Sequence, residues 1–311
     1  MSMKVVLVTG ATGKQGGSLV NALLDRGGFA IRALTRNVNT EAAKELAAKG
    51  VAVVPGDLSD KDSLSKACKD VYAVFGVSIP EFFCGVDEEL QGRNLVDACK
   101  ENDVPLLVWS SLPSCKDTSS GKFIVKPFDA KSDVEKYIKA VDQPAIIFRT
   151  GGFASNMILF HQLKQDEKDP SKYHFCYPIV GANSPQPWTY VEKDVGPAVL
   201  AAIEKWEDSA WHTELAKEPI PLVSYQLTLE EMASIVAKVS GKDVDFVSVP
   251  SDGLPPPLIS MNHWCNERLW GYGDHIPVDI LVKLGVKFHT LDDYVRDEVI
   301  PWMNSQDQSA S

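Results

Sequence analysis

Through the first half of this 311-residue chain, short β-branched runs alternate with stretches whose apolar positions recur three and four apart. Such a change of period, repeated several times, predicts strands alternating with amphipathic helices and hence a doubly wound parallel sheet. The run Val5-Val6-Leu7-Val8 predicts the first strand. Residues 17–26 carry Leu19/Leu23 and Val20/Leu24 one turn apart and predict a helix. It stops at Gly27-Gly28, a pair suited to a left-handed C-terminal cap. The same reading gives strands at 29–34, 51–54, 71–77, 106–110 and 145–148, and helices at 40–49, 62–69, 87–101 and 129–140. A long loop is expected at 111–127, and loops of that length are commonly functional.

Past Arg149 the pattern changes, and prolines and aromatics become denser, as in 173–178 and Pro185-Gln186-Pro187-Trp188. Thr228-Leu229-Glu230-Glu231 reads as a capping box that opens a helix at 229–239. A Pro-rich turn at 253–257 precedes Trp264, Trp270 and Tyr272. The expectation is an α/β protein. A Rossmann-type domain would cover 1–150, with a return to it near 188–204, and a smaller C-terminal α+β domain for substrate or partner would cover 151–303. A disordered polar tail is expected at 304–311. The cleft between the domains, over the carboxyl ends of the parallel strands, is the expected site.

The first strand feeds Thr9-Gly10-Ala11-Thr12-Gly13-Lys14-Gln15-Gly16-Gly17, a glycine-rich turn opening a helix. Gly10 suits the tight turn, Gly13 has no Cβ to keep a pyrophosphate away, and Gly16 lets the helix pack close to the sheet. Free backbone N–H groups and the positive end of the helix dipole would face the phosphates. The spacing is G-x-x-G-x-x-G, which points away from the plain dehydrogenase motif. A ligand-free glycine turn is the alternative, and the complete strand–helix–strand setting weighs against it. Sites that prefer NAD place an acidic residue at the end of the second strand for the ribose 2′-hydroxyl. Here that position reads Thr35-Arg36-Asn37, without a carboxylate. The Arg36 guanidinium offers a fork of donors to a 2′-phosphate, which favours NADP(H); a solvated surface arginine is the alternative.

Composition adds exclusions. A net charge of −11 argues against direct nucleic-acid binding, which needs a basic face. The six cysteines lack a C-x-x-C pair and read as reduced thiols, and the six histidines lack metal-ligand spacing, so no metal site is expected. No apolar run reaches membrane-spanning length, and with strand-forming residues so near the start no signal or transit segment is expected. A cytoplasmic location is expected, with nuclear passage left open.

With these segments in view, the chain resembles the NmrA-like family of atypical short-chain dehydrogenases/reductases, and most closely its NADPH-sensor branch. Beyond the glycine turn and Thr35-Arg36-Asn37, the matching segments are Gly56-Asp57, the run from Phe128 through Lys131 to Tyr137, and Phe153-Ala154-Ser155-Asn156. The resemblance implies NADP(H) in an extended Rossmann fold. By position, Gly10, Thr12, Gly13, Lys14, Gln15 and Gly16 would hold the pyrophosphate, and Arg36 and Asn37 the 2′-phosphate end. Asp57 and Leu58 would flank the adenine. Phe75, Gly76 and Val77 would line the nicotinamide ribose, Lys131 would contact it, and Phe153 would also touch the cofactor.

The wider superfamily protonates substrate with a tyrosine four residues before the active-site lysine, on one helical face where the cation lowers its pKa. Four before Lys131 stands Pro127, and none of the eight tyrosines has a lysine four residues later. Lys131 and Ser110 remain as catalytic candidates, with ribose positioning alone as the alternative for Lys131. Cys115, beside Lys116, is either a redox-sensitive thiol or an ordinary loop cysteine. Trp264, Trp270 and Tyr272 either stack on a planar substrate or build core. Three functions stay open: an NADP(H) redox sensor or regulator coupled to a protein partner, an NADPH-dependent reductase of a quinone, enone or aryl carbonyl, and a scaffold with a structural nucleotide. An oligomer is compatible with each.

Overall fold

The computed structural model describes residues 3–309. The chain runs β1 (Lys4–Val8), α1 (Lys14–Arg26), β2 (Phe29–Thr35), α2 (Glu41–Ala48), β3 (Ala52–Pro55), α3 (Lys61–Cys68) and β4 (Ala73–Gly76). It continues through α4 (Glu81–Cys84), α5 (Glu88–Glu101), β5 (Leu106–Ser111), α6 (Cys115–Thr118), α7 (Lys126–Ala140) and β6 (Ala145–Thr150). There it leaves the sheet for β7 (Gly152–Phe153), α8 (Asn156–Leu159), β8 (Leu163–Gln165), β9 (Lys172–Pro178) and β10 (Gln186–Thr189). It returns through α9 (Val191–Lys205), α10 (Ser209–Lys217) and β11 (Ile220–Leu222). The last stretch holds β12 (Tyr225–Leu227), α11 (Leu229–Ser240), β13 (Asp243–Val249), α12 (Pro256–Asn266), α13 (Asp279–Lys283), α14 (Leu291–Tyr294) and α15 (Ile300–Ser309).

Seven strands form one parallel sheet in the order β11-β6-β5-β4-β1-β2-β3, the doubly wound arrangement expected. Smaller sheets, β12-β10-β7 and β13-β9-β8, lie in the C-terminal part. Both faces of the large sheet are covered, so successive strand residues enter opposite cores. Val6, Val8, Phe75 and Val108 pack with Leu19, Val20 and Leu23 of α1 and Val191, Val195 and Val199 of α9. Leu7, Val74, Leu107 and Trp109 pack on the other face with Leu64 of α3, Leu95 and Val96 of α5, and Val134 and Ile138 of α7. A third core gathers Met157, Tyr173, Phe175, Trp188, Met232, Trp264 and Tyr294.

The differences from expectation have local causes. Helix α1 begins at Lys14, three residues early, because Gly13 takes the cap position in extended conformation. Helix α7 begins at Lys126, with Pro127 in its first turn, where a missing N–H costs no helical bond. The expected loop at 111–127 is therefore shorter and contains α6, whose cap Ser114 accepts from Asp117 N–H at 3.0 Å. Asp129 ties this segment down, accepting from Ser114 Oγ, Lys116 N–H and Val125 N–H. The segment expected as a disordered tail is helical as far as Ser309, and residues 310 and 311 lie outside the described residues. The capping box at Thr228 and Glu231 forms as read.

Backbone meets backbone where α9 crosses α1. A Cβ on Gly196 would lie 2.8 Å from Leu19 N and closer still to the Ser18 carbonyl, and Gly196 N–H donates to Ser18 Oγ at 2.9 Å. Gly196→Ala should lower stability by about 1–3 kcal/mol, since the obstructing atoms are backbone and cannot rotate away. Urea unfolding measures this, and an unchanged midpoint would show that the helices tolerate separation.

Candidate functional site

Strand β1 ends at Thr9, which is stitched to the end of β4. Its N–H donates to Phe75 O at 3.0 Å, and its Oγ1 accepts from Val77 N–H at 2.8 Å. Gly10 follows with φ +59°, a left-handed turn that a Cβ would push to 3.0 Å from Val77 Cγ1. Gly13 N–H closes the turn on Gly10 O at 2.8 Å. A Cβ on Gly16 would lie 2.6 Å from Gly10 C and 2.7 Å from Thr9 O, so only glycine lets α1 start this close to the strand. Gly13 has no side chain to cap α1, and the first turn carries no acidic residue. The open N–H groups and dipole end fit a pyrophosphate.

Thr12 and Lys14 are exposed, and the Lys14 ammonium pairs with Glu192 at the start of α9. Gln15 faces the sheet, where its Oε1 accepts from Ser110 Oγ at 2.6 Å. At the end of β2, Arg36 is exposed and makes no hydrogen bond or ion pair among the described residues. It shares an open groove with Gly56 and Asp57. Two hydrogen bonds from Ser59 hold the Asp57 carboxyl below its ordinary value, and the Arg36 charge adds to them. Asn37 shapes the loop: its Oδ1 accepts from Asn39 N–H at 2.9 Å. Leu58 is buried, and its carbonyl accepts from Asn94 Nδ2 at 2.9 Å.

At the ends of β4 and β5, Phe75 is core rather than surface, 1% exposed. Gly76 is tightly covered, since a Cβ would lie 2.8 Å from Leu95 Cδ2 and 2.9 Å from Trp109 Cε3. Val77 is half-buried beside Gly10. Phe153 is half-buried against the core on the α1 side of the sheet. Lys131 lies on α7, whose backbone is tied to β5 by Trp109 Nε1 donating to Lys131 O at 3.2 Å. Its ammonium pairs with Glu88 of α5 and donates to Ser78 Oγ at 3.2 Å, all three being buried. Burial pushes the Lys131 ammonium down to about 7.

Glu88 and Ser78 escaped the sequence reading because nothing local marks them. Glu88 sits in a Glu-rich first turn where acidic residues ordinarily complement the helix dipole. Tyr137 does not approach Lys131; its hydroxyl donates to Asp97 at 2.5 Å. Cys115 is fully buried, and burial raises its thiol pKa, so it is no redox-sensitive surface group. Trp264 is fully buried with its Nε1 on Thr118 Oγ1, and Tyr272 donates to Thr150 O at 2.8 Å, which makes both core. Trp270 packs edge-on against Trp264. Among the described residues no cluster of His, Cys, Asp and Glu is arranged to hold a metal, and no helix is long and apolar enough to cross a membrane.

Several known proteins are similar to this chain in sequence or in fold. An NmrA-like family domain-containing oxidoreductase, cpsB of Aspergillus campestris, is 30% identical over 268 residues, covering 79% of this chain and 76% of its own. Another, lnaB of Aspergillus flavus, is 29% identical over 75% of this chain and 73% of its own. Among solved structures, NmrA, a negative transcriptional regulator, in complex with NADP superposes with a TM-score of 0.80 at 20% identity, covering 98% of each chain. The triphenylmethane reductase of a Citrobacter species, complexed with NADP(H), does so with a TM-score of 0.71 at 22% identity, covering 94% of this chain and 99% of its own. The model of the NmrA-like family matches residues 2–307, and the chain belongs to that family.

Proposed function

We propose that this protein binds NADP(H) along the carboxyl ends of β2, β1, β4 and β5, and senses the cofactor for a protein partner rather than turning it over at enzyme rates. The cradle would take the pyrophosphate, Arg36 the 2′-phosphate, and Lys131 the nicotinamide ribose. When bound, the cofactor supplies a hydride. The carrying observation is that, among the described residues, the expected proton donors are missing or already engaged. Pro127 holds the place of the tyrosine, the Lys131 ammonium is turned to Glu88 and Ser78, and Ser110 gives its proton to Gln15. The cofactor-bound NmrA and reductase structures, which share the fold, support the nucleotide half of the reading.

One observation favours an NADPH-dependent reductase instead. Phe82, Phe83, Ile124 and Phe160 are all more than half exposed. They lie on segments that follow β4, β5 and β7, as would the rim of a site for a quinone, enone or aryl carbonyl.

Two measurements test the proposal. NADPH oxidation with a panel of quinones, enones and aryl carbonyls should stay well below ~1 s⁻¹, the lower end of ordinary turnover. NADP⁺ and NADPH should bind with distinguishable affinities, because a ligand pair bound equally shifts no equilibrium. Ordinary turnover would establish the reductase, and equal affinities would leave a structural nucleotide. Separately, Arg36→Ala should weaken NADPH by about 10–100-fold, the worth of a charge-assisted fork, and NADH by less than ~3-fold. Equal losses in a fluorescence titration would mean that Arg36 does not read the phosphate.

A further inference from the structure

Lysine has three N–H donors. Lys131 gives one to Glu88 Oε1 and one to Ser78 Oγ, while Ser78 donates to the same Glu88 oxygen at 2.9 Å. The three side chains come from α7, from α5 and from the segment leaving β4, and all are buried at the carboxyl end of the sheet. Glu88 Oε2 is also buried and has no hydrogen-bond partner. Nearby charges are engaged elsewhere: Asp129 with Ser114, Glu135 with Arg149, Glu89 with Arg93, and Asp87 with Lys126. Glu88 is therefore the one carboxylate set against this amine among the described residues.

We propose that Glu88 is the positioning residue for Lys131: together with Ser78 it fixes the amine and leaves its third donor for a hydroxyl of the nicotinamide ribose. The inference rests on the NADP(H) reading above for its ligand, but not for the pairing itself. Burial carries the amine down to about 7 even with Glu88 beside it, so half its charge is lost at neutral pH. A carboxylate in contact stabilises the charged form, so without Glu88 the amine would lose its proton at lower pH still. A hydroxyl facing a neutral amine would find a weaker donor.

The pairing is tested first without cofactor, in protein carrying 13C-labelled lysine, with the Lys131 resonance assigned by its loss in Lys131→Arg. In the wild type its midpoint should lie near about 7, well below the ordinary lysine value of ~10.4. Glu88→Gln should lower it further, and Glu88→Asp should lower it less. A midpoint that Glu88→Gln leaves unmoved or raises overturns the proposal. Where Glu88→Gln fails to fold, Glu88→Asp decides by the same shift. Between pH 6.5 and pH 9, NADPH affinity should fall by about 10-fold in the wild type and less than ~3-fold in Glu88→Gln, whose amine has already lost its proton. Matching pH slopes would overturn the positioning role. A wild type that binds no NADPH would instead overturn the cofactor reading, leaving the ligand-free titration to judge Glu88.

Discussion

Helix α1 is held near its start by two contacts in which backbone touches backbone. At its start, Gly16 lies against the Thr9–Gly10 turn, and further along Ser18 lies against Gly196 of α9. Neither contact leaves room for a methyl group, so the helix has little freedom to slide or tilt. That rigidity sets the cradle, because the uncapped N–H groups of α1 point where the helix axis points. Strand order reverses between β1 and β4, and Thr9 bridges that reversal by binding Val77 on both sides. Open α/β sheets bind ligands at such a switch point.

The charge at the other end of the site has a different logic. Burying an ion pair removes two charges from water, and the Coulomb attraction recovers that cost only with near-ideal geometry. A well-packed apolar pair in place of Lys131 and Glu88 would serve stability as well or better. The unpartnered Glu88 Oε2 adds a further desolvation cost. The pair therefore reads as a functional feature carried by a stable sheet. Its supports agree with this: Trp109 fixes the α7 backbone at Lys131, and Gln91 holds the segment beside Ser78 by bonding both the N–H and the carbonyl of Ile79.

Where a position follows from backbone geometry, the sequence was legible. Gly10, Gly13 and Gly16 could be assigned roles because each role is the absence of a Cβ, and the structure puts a steric reason behind Gly10 and Gly16 in particular. Arg36 stands where its place in the chain predicts, exposed just past the end of β2. At the end of β4 a position alone does not say which face a ring takes, and the strand's alternation sends Phe75 into the core. Strand β11 has three residues, too few for a periodic signal, and it is recruited by pairing with β6. Glu88 lies 43 residues from Lys131, and only the packing of α5 on α7 brings them together.

Those long-range contacts also connect the two ends of the site. The segment from Ser78 to Asp87 carries the exposed rings Phe82 and Phe83. It is anchored by Ser78 to Glu88 within, by Gln91 through Ile79 and Val86, and by Lys126 through Glu81 and Asp87 at the surface. Lys131 shares its carboxylate oxygen with the first of these anchors and donates to Ser78 as well. A sensor requires an element that ligand and partner both bias. In the sensor reading proposed above, this segment would be that element, one end on the buried amine and the other presenting aromatic surface to solvent.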